Sequence, residues 1–477
     1  MRILFCSSEA YPFSKSGGLA DMASALPKIM NKLGEDASII TPLYDSIYSK
    51  LASFKYLGEK SILIAGEEFK AKYYETMHDG VRYIFVENEL FFKRANYYGY
   101  FDDDKRFLFY DYAVLEYIEL ENNKYDLLHI NDWQTGLIPY LLDEIYRIKP
   151  LYTNLKTLLT IHNLEYQGSF PKEAYRLIGK PFNYAYIHFD RLNFLKAAIM
   201  RANHINTVSP TYMREVQTEY YGFTLDGALK SRLNHFTGIL NGIDYDIYNP
   251  ETDTYIEQTF NDKHFVTAKK KNKFALLQKL NLDLSTDTAL VAYIGRLAKQ
   301  KGIDLMMSTL EEAIAESTAK FVFIGSGDLQ YENFLRYLQS KYRNRVYTFI
   351  GFNNALAHQL YASADILLMP SQFEPCGLGQ LIAMRYGCLP LVRETGGLKD
   401  TVMPYNKYTK EGNGFSFANY NAHELKQVLL DAILLHTNNP TDWRILVQAA
   451  MRKDYSLEHM GEQYLSLYHQ IVKKIGE

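Results

Sequence analysis

Several short stretches of the chain combine residue types that could handle an anion. Phe13-Ser-Lys-Ser-Gly-Gly-Leu-Ala-Asp21 follows an apolar run and precedes residues at helical spacing: Leu19, Met22, Ala23, Leu26, Met30 and Leu33. That order puts Gly17 and Gly18 at a helix N-terminus, where uncovered N–H groups can approach an anion closely. Lys15 adds a mobile positive charge, and Asp21 falls in the first turn, where the helix dipole favours it. The same residues would also serve as a tight turn with a surface lysine. The segment is neither a Walker A loop nor the dinucleotide fingerprint, because Gly-Lys-Ser/Thr and G-x-G-x-x-G are both missing.

A second junction, Gly295-Arg-Leu-Ala-Lys-Gln-Lys-Gly302, sets Arg296 and Lys301 just past a β-branched run. Arg can grip a phosphate with two parallel hydrogen bonds, while Lys acts as a point charge. Gly325-Ser-Gly327-Asp328 ends the next run and is a weak signal alone. The densest stretch, Met369-Pro-Ser-Gln-Phe-Glu374-Pro-Cys-Gly377, runs from a strand into a Pro- and Gly-rich turn. It presents Glu374, with the Cys376 and Gly377 amides beside it. Glu394-Thr395-Gly396-Gly397 makes a further strand-to-helix turn. Asp132-Trp133 and His162-Asn163 also follow apolar runs. A surface Glu or a satisfied structural His would explain the last features equally well. None of the His, Asp and Glu residues shows metal-ligand spacing.

These residues need elements to hold them. Short apolar runs predict strands at Ile3–Ser7, Ala37–Thr41, Val81–Val86, Asp126–Ile130, Thr157–Ile161 and Ile205–Val208. Others lie at Ala289–Ile294, Lys320–Ile324, Val346–Ile350, Asp365–Met369 and Leu389–Val392. Helical stretches separate them, which indicates βαβ units and parallel sheets. Eleven strands exceed one comfortable open sheet, so the chain is an α/β protein of two doubly wound domains. The break falls near Asn241–Lys273, where Pro250 and the polar stretch Glu251–Asp262 precede Lys269, Lys270, Lys271 and Lys273. That basic cluster reads as a solvated helix face. Apolar residues at Leu457, Met460, Tyr464, Leu467, Tyr468, Ile471 and Ile475 predict a terminal amphipathic helix. The domains expected are 1–242 and 243–454, with a helix over 455–477.

Composition narrows the function classes. The chain has 477 residues, 47% hydrophobic and 22% charged, as a globular protein should. A net charge of −3 gives no general pull toward nucleic acid or anionic lipid. No apolar run approaches the 18 residues or so that a membrane helix needs. Three scattered cysteines are too few for a disulfide framework, and a cytoplasmic location is expected. Tyr 40 and Phe 27 against Trp 2 is an aromatic bias that could mean ligand platforms or mere composition.

Taken together, the motifs resemble the bacterial glycogen synthases and plant starch synthases that use ADP-glucose. The matching pieces are Lys15–Asp21, Asn131–Leu137, Ile161–Gly168, Leu240–Asp244, Gly295–Gly302, Phe373–Gln380 and Thr395–Leu398, in family order over nearly the whole chain. The resemblance implies a GT-B fold, two Rossmann-like domains facing a cleft with the terminal helix crossing back to the first. It implies transfer of glucose from ADP-glucose to the non-reducing 4-OH of an α-1,4-glucan such as glycogen, with retention and without metal or cofactor. Another GT-B transferase, using UDP-glucose or another acceptor, is the alternative. The catalytic positions would be Glu374, Arg296, Lys301 and His162. Arg296 and Lys301 would hold the diphosphate, with Lys15 and Gly18 contributing. Glu374, His162, Asn241 and the Cys376 and Gly377 amides would hold sugar hydroxyls, and Phe352 would lie on adenine. Gly17, Asp21, Asp132, Asn163, Gly327 and Thr395 complete the implied substrate-binding set. Tyr97, within the aromatic loop Phe91–Tyr100, would lie near the acceptor.

The chain departs from the family pattern in places. Ser16 replaces a Thr, Asn131 and Gln134 replace two His, and Gln372 stands where Arg is common. Ile382 occupies the position where many GT-B transferases carry a second Glu. A double displacement would want two carboxyls about 5 Å apart. Its absence favours front-face substitution assisted by the leaving phosphate.

Overall fold

The computed structural model describes residues 1–180 and 183–473. Its chain divides into two compact units. One comprises residues 1–208, 213–239 and 457–477, and the other 209–212 and 240–456.

The first unit carries β1 (Arg2–Cys6), β2 (Asp36–Pro42), β3 (Lys55–Ile64), β4 (Glu67–His78), β5 (Val81–Glu87), β6 (Leu127–Asn131), β7 (Lys156–Ile161), β8 (Ser169–Pro171), β9 (Ile187–His188), β10 (Arg191–Asn193), β11 (His204–Thr207) and β12 (Phe236–Gly238). Its main sheet has the order β12-β11-β7-β6-β1-β2-β5-β4-β3. β1, β2, β6 and β7 are almost continuously buried, as strands covered on both faces must be. β3 and β4 extend this parallel sheet as an antiparallel ribbon joined at Ala65-Gly66, both at positive φ. Neither strand carries an unbroken apolar run, because only one face of the ribbon is buried. β8, β10 and β9 form a small separate sheet.

The second unit carries β13 (Leu290–Ile294), β14 (Lys320–Gly325), β15 (Val346–Ile350), β16 (Ile366–Met369), β17 (Leu389–Arg393) and β18 (Phe415–Phe417). They pair in parallel in the order β15-β14-β13-β16-β17-β18. Both main sheets have a switch point: the chain winds outward one way from β1 and the other way from β6, and likewise from β13 and β16. In such sheets ligands bind outside the carboxyl ends of the strands at that point.

The terminal helix Leu457–Lys473 packs within the first unit against the helix Gly18–Lys32. A Cβ on Gly461 would lie 2.1 Å from Ile29, so only glycine allows this approach. Tyr468 pairs with His129 (2.8 Å), and Tyr464 accepts from Asn206 Nδ2 (2.8 Å). Ile475 lies outside the described residues. The helix therefore buttresses the element that starts at Gly18.

Many tyrosines are structural. Eleven of the twelve largest fully buried side chains are Tyr. Several of their hydroxyls donate to backbone carbonyls, as in Tyr73 to Ala113 (2.8 Å) and Tyr152 to Leu115 (2.7 Å), while those of Tyr44 and Tyr117 have no hydrogen-bond partner among the described residues. That pairing lets a polar tip sit in a core. The basic cluster needs correction. Lys269 and Lys273 are 7% and 3% exposed, not solvated. Lys269 donates to the Ala362 and Tyr386 carbonyls (3.1 and 3.0 Å), and burial lowers its pKa to about 8. Lys273 pairs with Asp365 at 2.5 Å. Among the described residues no helix is long and apolar enough to cross a membrane.

Candidate active site

In the first unit, β1 runs into the buried Ser7, Ser8 and Glu9, then a loop to Gly17. Gly17 caps the helix Gly18–Lys32 without a side-chain hydrogen bond, so the first-turn N–H groups have no capping side chain. A Cβ on Gly17 or Gly18 would meet nothing within 4 Å. Lys15 pairs with Asp21 at 2.7 Å and lies 5.5 Å from the Tyr11 ring centre. The loop is held from beneath by Glu9, which accepts from the Ser16 amide and from Ser16 Oγ (2.6 Å).

At the end of β6, Asp132 adopts φ 56, a left-handed conformation costing roughly 1–3 kcal/mol for a non-glycine residue. The conformation turns its carboxylate onto the His162 amide (2.7 Å) at the end of β7. Burial pushes the Asp132 carboxyl up to about 7, despite the amides it accepts from. Asn131 donates to the Cys6 and His129 carbonyls (3.1 and 3.2 Å), so its oxygen faces His162 Nε2 at 2.9 Å. The proton is thereby fixed on Nε2, leaving Nδ1 an acceptor. Burial lowers His162 to about 4, so the ring is neutral at pH 7. Asn131, a departure from the family's His, thus orients His162. Asn163 accepts from the Glu165 amide (3.0 Å). Gln134 is buried, and its Oε1 has no hydrogen-bond partner among the described residues. Trp133 is structural: it packs on Phe107 (4.9 Å) and Phe170 (5.7 Å), and Gly168 lies flat against its ring. Tyr97 lies tilted against Tyr44, ring centres 4.5 Å apart. Tyr166 is 56% exposed.

In the second unit, the loops after β13 and β16 touch at the switch point. Gly302 sits at φ 77, and a Cβ there would lie 2.1 Å from the Pro370 carbonyl. This approach brings Lys301 Nζ to 2.5 Å from Glu374 Oε2, which also accepts from Ser371 Oγ at 3.1 Å. Glu374 is 7% exposed. The β17 loop closes over the same turn. Gly396, at φ 45, would place a Cβ 2.0 Å from the Glu374 carbonyl, and Gly397 one 2.2 Å from that of Cys376. Thr395 is fully buried there. Gly377 takes φ 75, against Gln380. The Asn241 amide lies 3.4 Å from Cys376 Sγ, whose thiol burial raises to about 12. Asn241 Oδ1 is buried without a hydrogen-bond partner among the described residues, an acceptor suited to a hydroxyl.

Lys301, Glu374, Cys376, Gly377, Thr395 and Asn241 therefore form one cluster. Arg296 is exposed after β13, its Nη2 3.4 Å from Gln300. Gly327 packs on the Leu297 carbonyl (2.2 Å from a Cβ), and Phe352 is 79% exposed after β15. Motif reading misses Glu9, Ser371 and Arg393. Ser7-Ser8-Glu9, polar residues directly after the apolar run of β1, is the signal that could have found the first. Arg393 donates to the Ser371 (2.9 Å) and Gln372 carbonyls, so it braces the loop that carries Gln372.

Residues 2–231 match the starch synthase catalytic domain family, and residues 278–444 match glycosyl transferases group 1. A glycogen synthase of Acholeplasma laidlawii is 52% identical over 474 residues, 99% of each chain. The chain belongs to the glycogen synthase and starch synthase family. A Geobacillus thermodenitrificans glycogen synthase is 43% identical, covering 99% of this chain and 98% of its own. The catalytic domain of Arabidopsis thaliana starch synthase IV, solved with ADP and acarbose, superposes with a TM-score of 0.90 at 32% identity, over 99% of both chains. The fold is accordingly GT-B, and the protein is a glycosyltransferase of this family.

Proposed function

We propose that the protein is a glycogen synthase. It moves the glucosyl group of ADP-glucose to the non-reducing 4-OH of an α-1,4-glucan, with retention of configuration. The observation that carries this reading is the Lys301–Glu374 pair, 2.5 Å apart at the second sheet's switch point. Glu374 Oε2 accepts from both Lys301 Nζ and Ser371 Oγ. Glu374, Asn241 Oδ1 and the Cys376 and Gly377 amides suit sugar hydroxyls, while Lys301 and Arg296 suit a diphosphate.

The bond from C1 to the phosphate oxygen breaks as the bond from C1 to the acceptor O4 forms. Negative charge grows on the leaving phosphate, and preorganised cations there lower the barrier. The 4-OH proton passes to that phosphate on the same face. No step needs a second carboxylate at Ile382, which packs in the second unit's core. In the first unit, Lys15 and the Gly17–Gly18 turn suit an anion. Neutral His162, Asp132 and Asn163 suit hydroxyls, and Tyr97 offers an aromatic face for a glucan. We propose no resident metal or cofactor, so chelation should leave the rate unchanged. Three free cysteines support a cytoplasmic setting.

Nucleotide release tests the reading. ADP should leave ADP-glucose only when glycogen is supplied, with UDP-glucose turned over far more slowly. Faster UDP release, or release indifferent to glycogen, would overturn it. Lys301→Ala should lower kcat/KM by roughly 10²–10³ while sparing glucan affinity. Equal loss of both would point to a glucan-binding protein instead.

A further inference from the structure

Glu9 has no place in the sequence assignments, yet it is 2% exposed at the first sheet's switch point. Among the described residues no Lys or Arg pairs with it, so the structure keeps a buried carboxylate on neutral donors alone, a costly choice. Its oxygens divide the work. Oε2 accepts the Ser16 amide, while Oε1 accepts Ser16 Oγ (2.6 Å) and the Tyr98 hydroxyl (2.6 Å). Tyr98 Oη also lies 2.8 Å from Ser8 Oγ.

Ser16 stands between Lys15 and Gly17, in the anion loop. Tyr98 follows Tyr97 in the aromatic loop. The aromatic loop is itself stiff: Asp103 accepts the Gly99 amide (2.8 Å), and buried Arg106 donates to the Tyr97 carbonyl (3.3 Å) and pairs with Asp103. Arg94 adds a two-pronged pair with Asp102 (2.6 and 2.8 Å). A stiff loop moves as one piece, so the Tyr98 hydroxyl is the handle through which Glu9 can shift Tyr97. A glutamine at position 9 would set an NH2 against donors and could serve only one side.

We infer that Glu9 and Tyr98 are positioning residues that join the anion loop to the aromatic loop, so that filling one sets the geometry of the other. This rests on the reading of Lys15 as a donor-side group and Tyr97 as an acceptor-side group. Coupling of this kind is reciprocal: glucan should tighten nucleotide binding by the factor by which nucleotide tightens glucan binding.

The test is the dissociation constant of ADP, by calorimetry, with and without a saturating maltooligosaccharide. The parent protein should show a change of roughly five-fold or more. Tyr98→Phe, which removes one oxygen, should bring the ratio to about one, and Ser16→Ala, which loses the Oγ contact but keeps the amide on Oε2, should lower the ratio part of the way. Combining the two should add little beyond Tyr98→Phe alone. Simple destabilisation would lower the melting temperature and leave the ratio intact. If the parent shows no coupling, or both variants keep it, the inference is wrong. If ADP fails to bind the parent at all, the functional reading has failed instead.

Discussion

The two switch points use glycine for opposite reasons. In the second unit the glycines are pinned. A Cβ on Gly302, Gly325, Gly327, Gly396 or Gly397 would lie 2.0–2.2 Å from a backbone oxygen. These loops stack backbone against backbone, and the stacking brings Lys301 to Glu374. In the first unit Gly17 and Gly18 face open space, and Gly17 has an extended backbone (φ −155) that any residue adopts. Side-chain hydrogen bonds to Glu9 hold that loop instead. One glycine set is spent on the protein's own packing. The other leaves room, and room at a helix N-terminus is what an approaching anion needs.

Alanine substitutions should separate the two most sharply. Gly396→Ala drives a methyl into the Glu374 carbonyl at a left-handed φ, and should destabilise the second unit by several kcal/mol. Gly18→Ala sits in a first helical turn with free space, where Ala is the better helix former by up to about 1 kcal/mol. It should hold or raise the melting temperature while lowering kcat/KM by ten-fold or more. Equal melting temperatures for the two variants would erase the contrast, and full activity in Gly18→Ala would leave the open space without a ligand.

This contrast bears on what could be read in advance. Each of the eleven strands expected from apolar runs is present within two residues, because a strand buried on both faces writes itself as an unbroken apolar run. Lys15, Gly17, Lys301 and Glu374 were legible as types at strand ends. What was hidden depends on partners distant in sequence. Nothing near Gly396 tells that its neighbour is the Glu374 carbonyl. Nothing near Lys269 tells that its amine ends among the carbonyls of Ala362 and Tyr386. Glu9 stayed hidden because its partner, Tyr98, is 89 residues away. The ribbon β3–β4 escaped because only one of its faces is apolar.

The first unit stores a second cost, in Asp132. Its carboxyl is raised by burial from 3.8 to about 7, so the folded protein binds a proton there that the unfolded chain has lost above pH 4. Stability should therefore fall as pH rises from 4 to 7, by up to about 4 kcal/mol from this group. Asp132→Asn removes the titration. Its melting temperature relative to the parent should be higher at pH 8 than at pH 5, while glucosyl transfer falls at both. A difference that does not change with pH would mean that Asp132 is ionised throughout. That would move the first unit closer to the second, where the buried Glu374 has a cation beside it.

The smallest effect tests an exposed aromatic in the second unit. Phe352 is 79% exposed after Gly351, which sits at φ 137. A single exposed aromatic is ordinary on a protein surface, so exposure alone decides nothing. If an adenine lies on it, Phe352→Ala should leave the melting temperature unchanged and raise the KM for ADP-glucose about three- to ten-fold, the worth of one aromatic stack. The kcat should hold, because the contact is the same before and during transfer. Phe352→Tyr should restore the KM, since the stack needs only a flat face. An unchanged KM in Phe352→Ala would make the second unit a purely pinned site, with its openness confined to the Glu374 cluster.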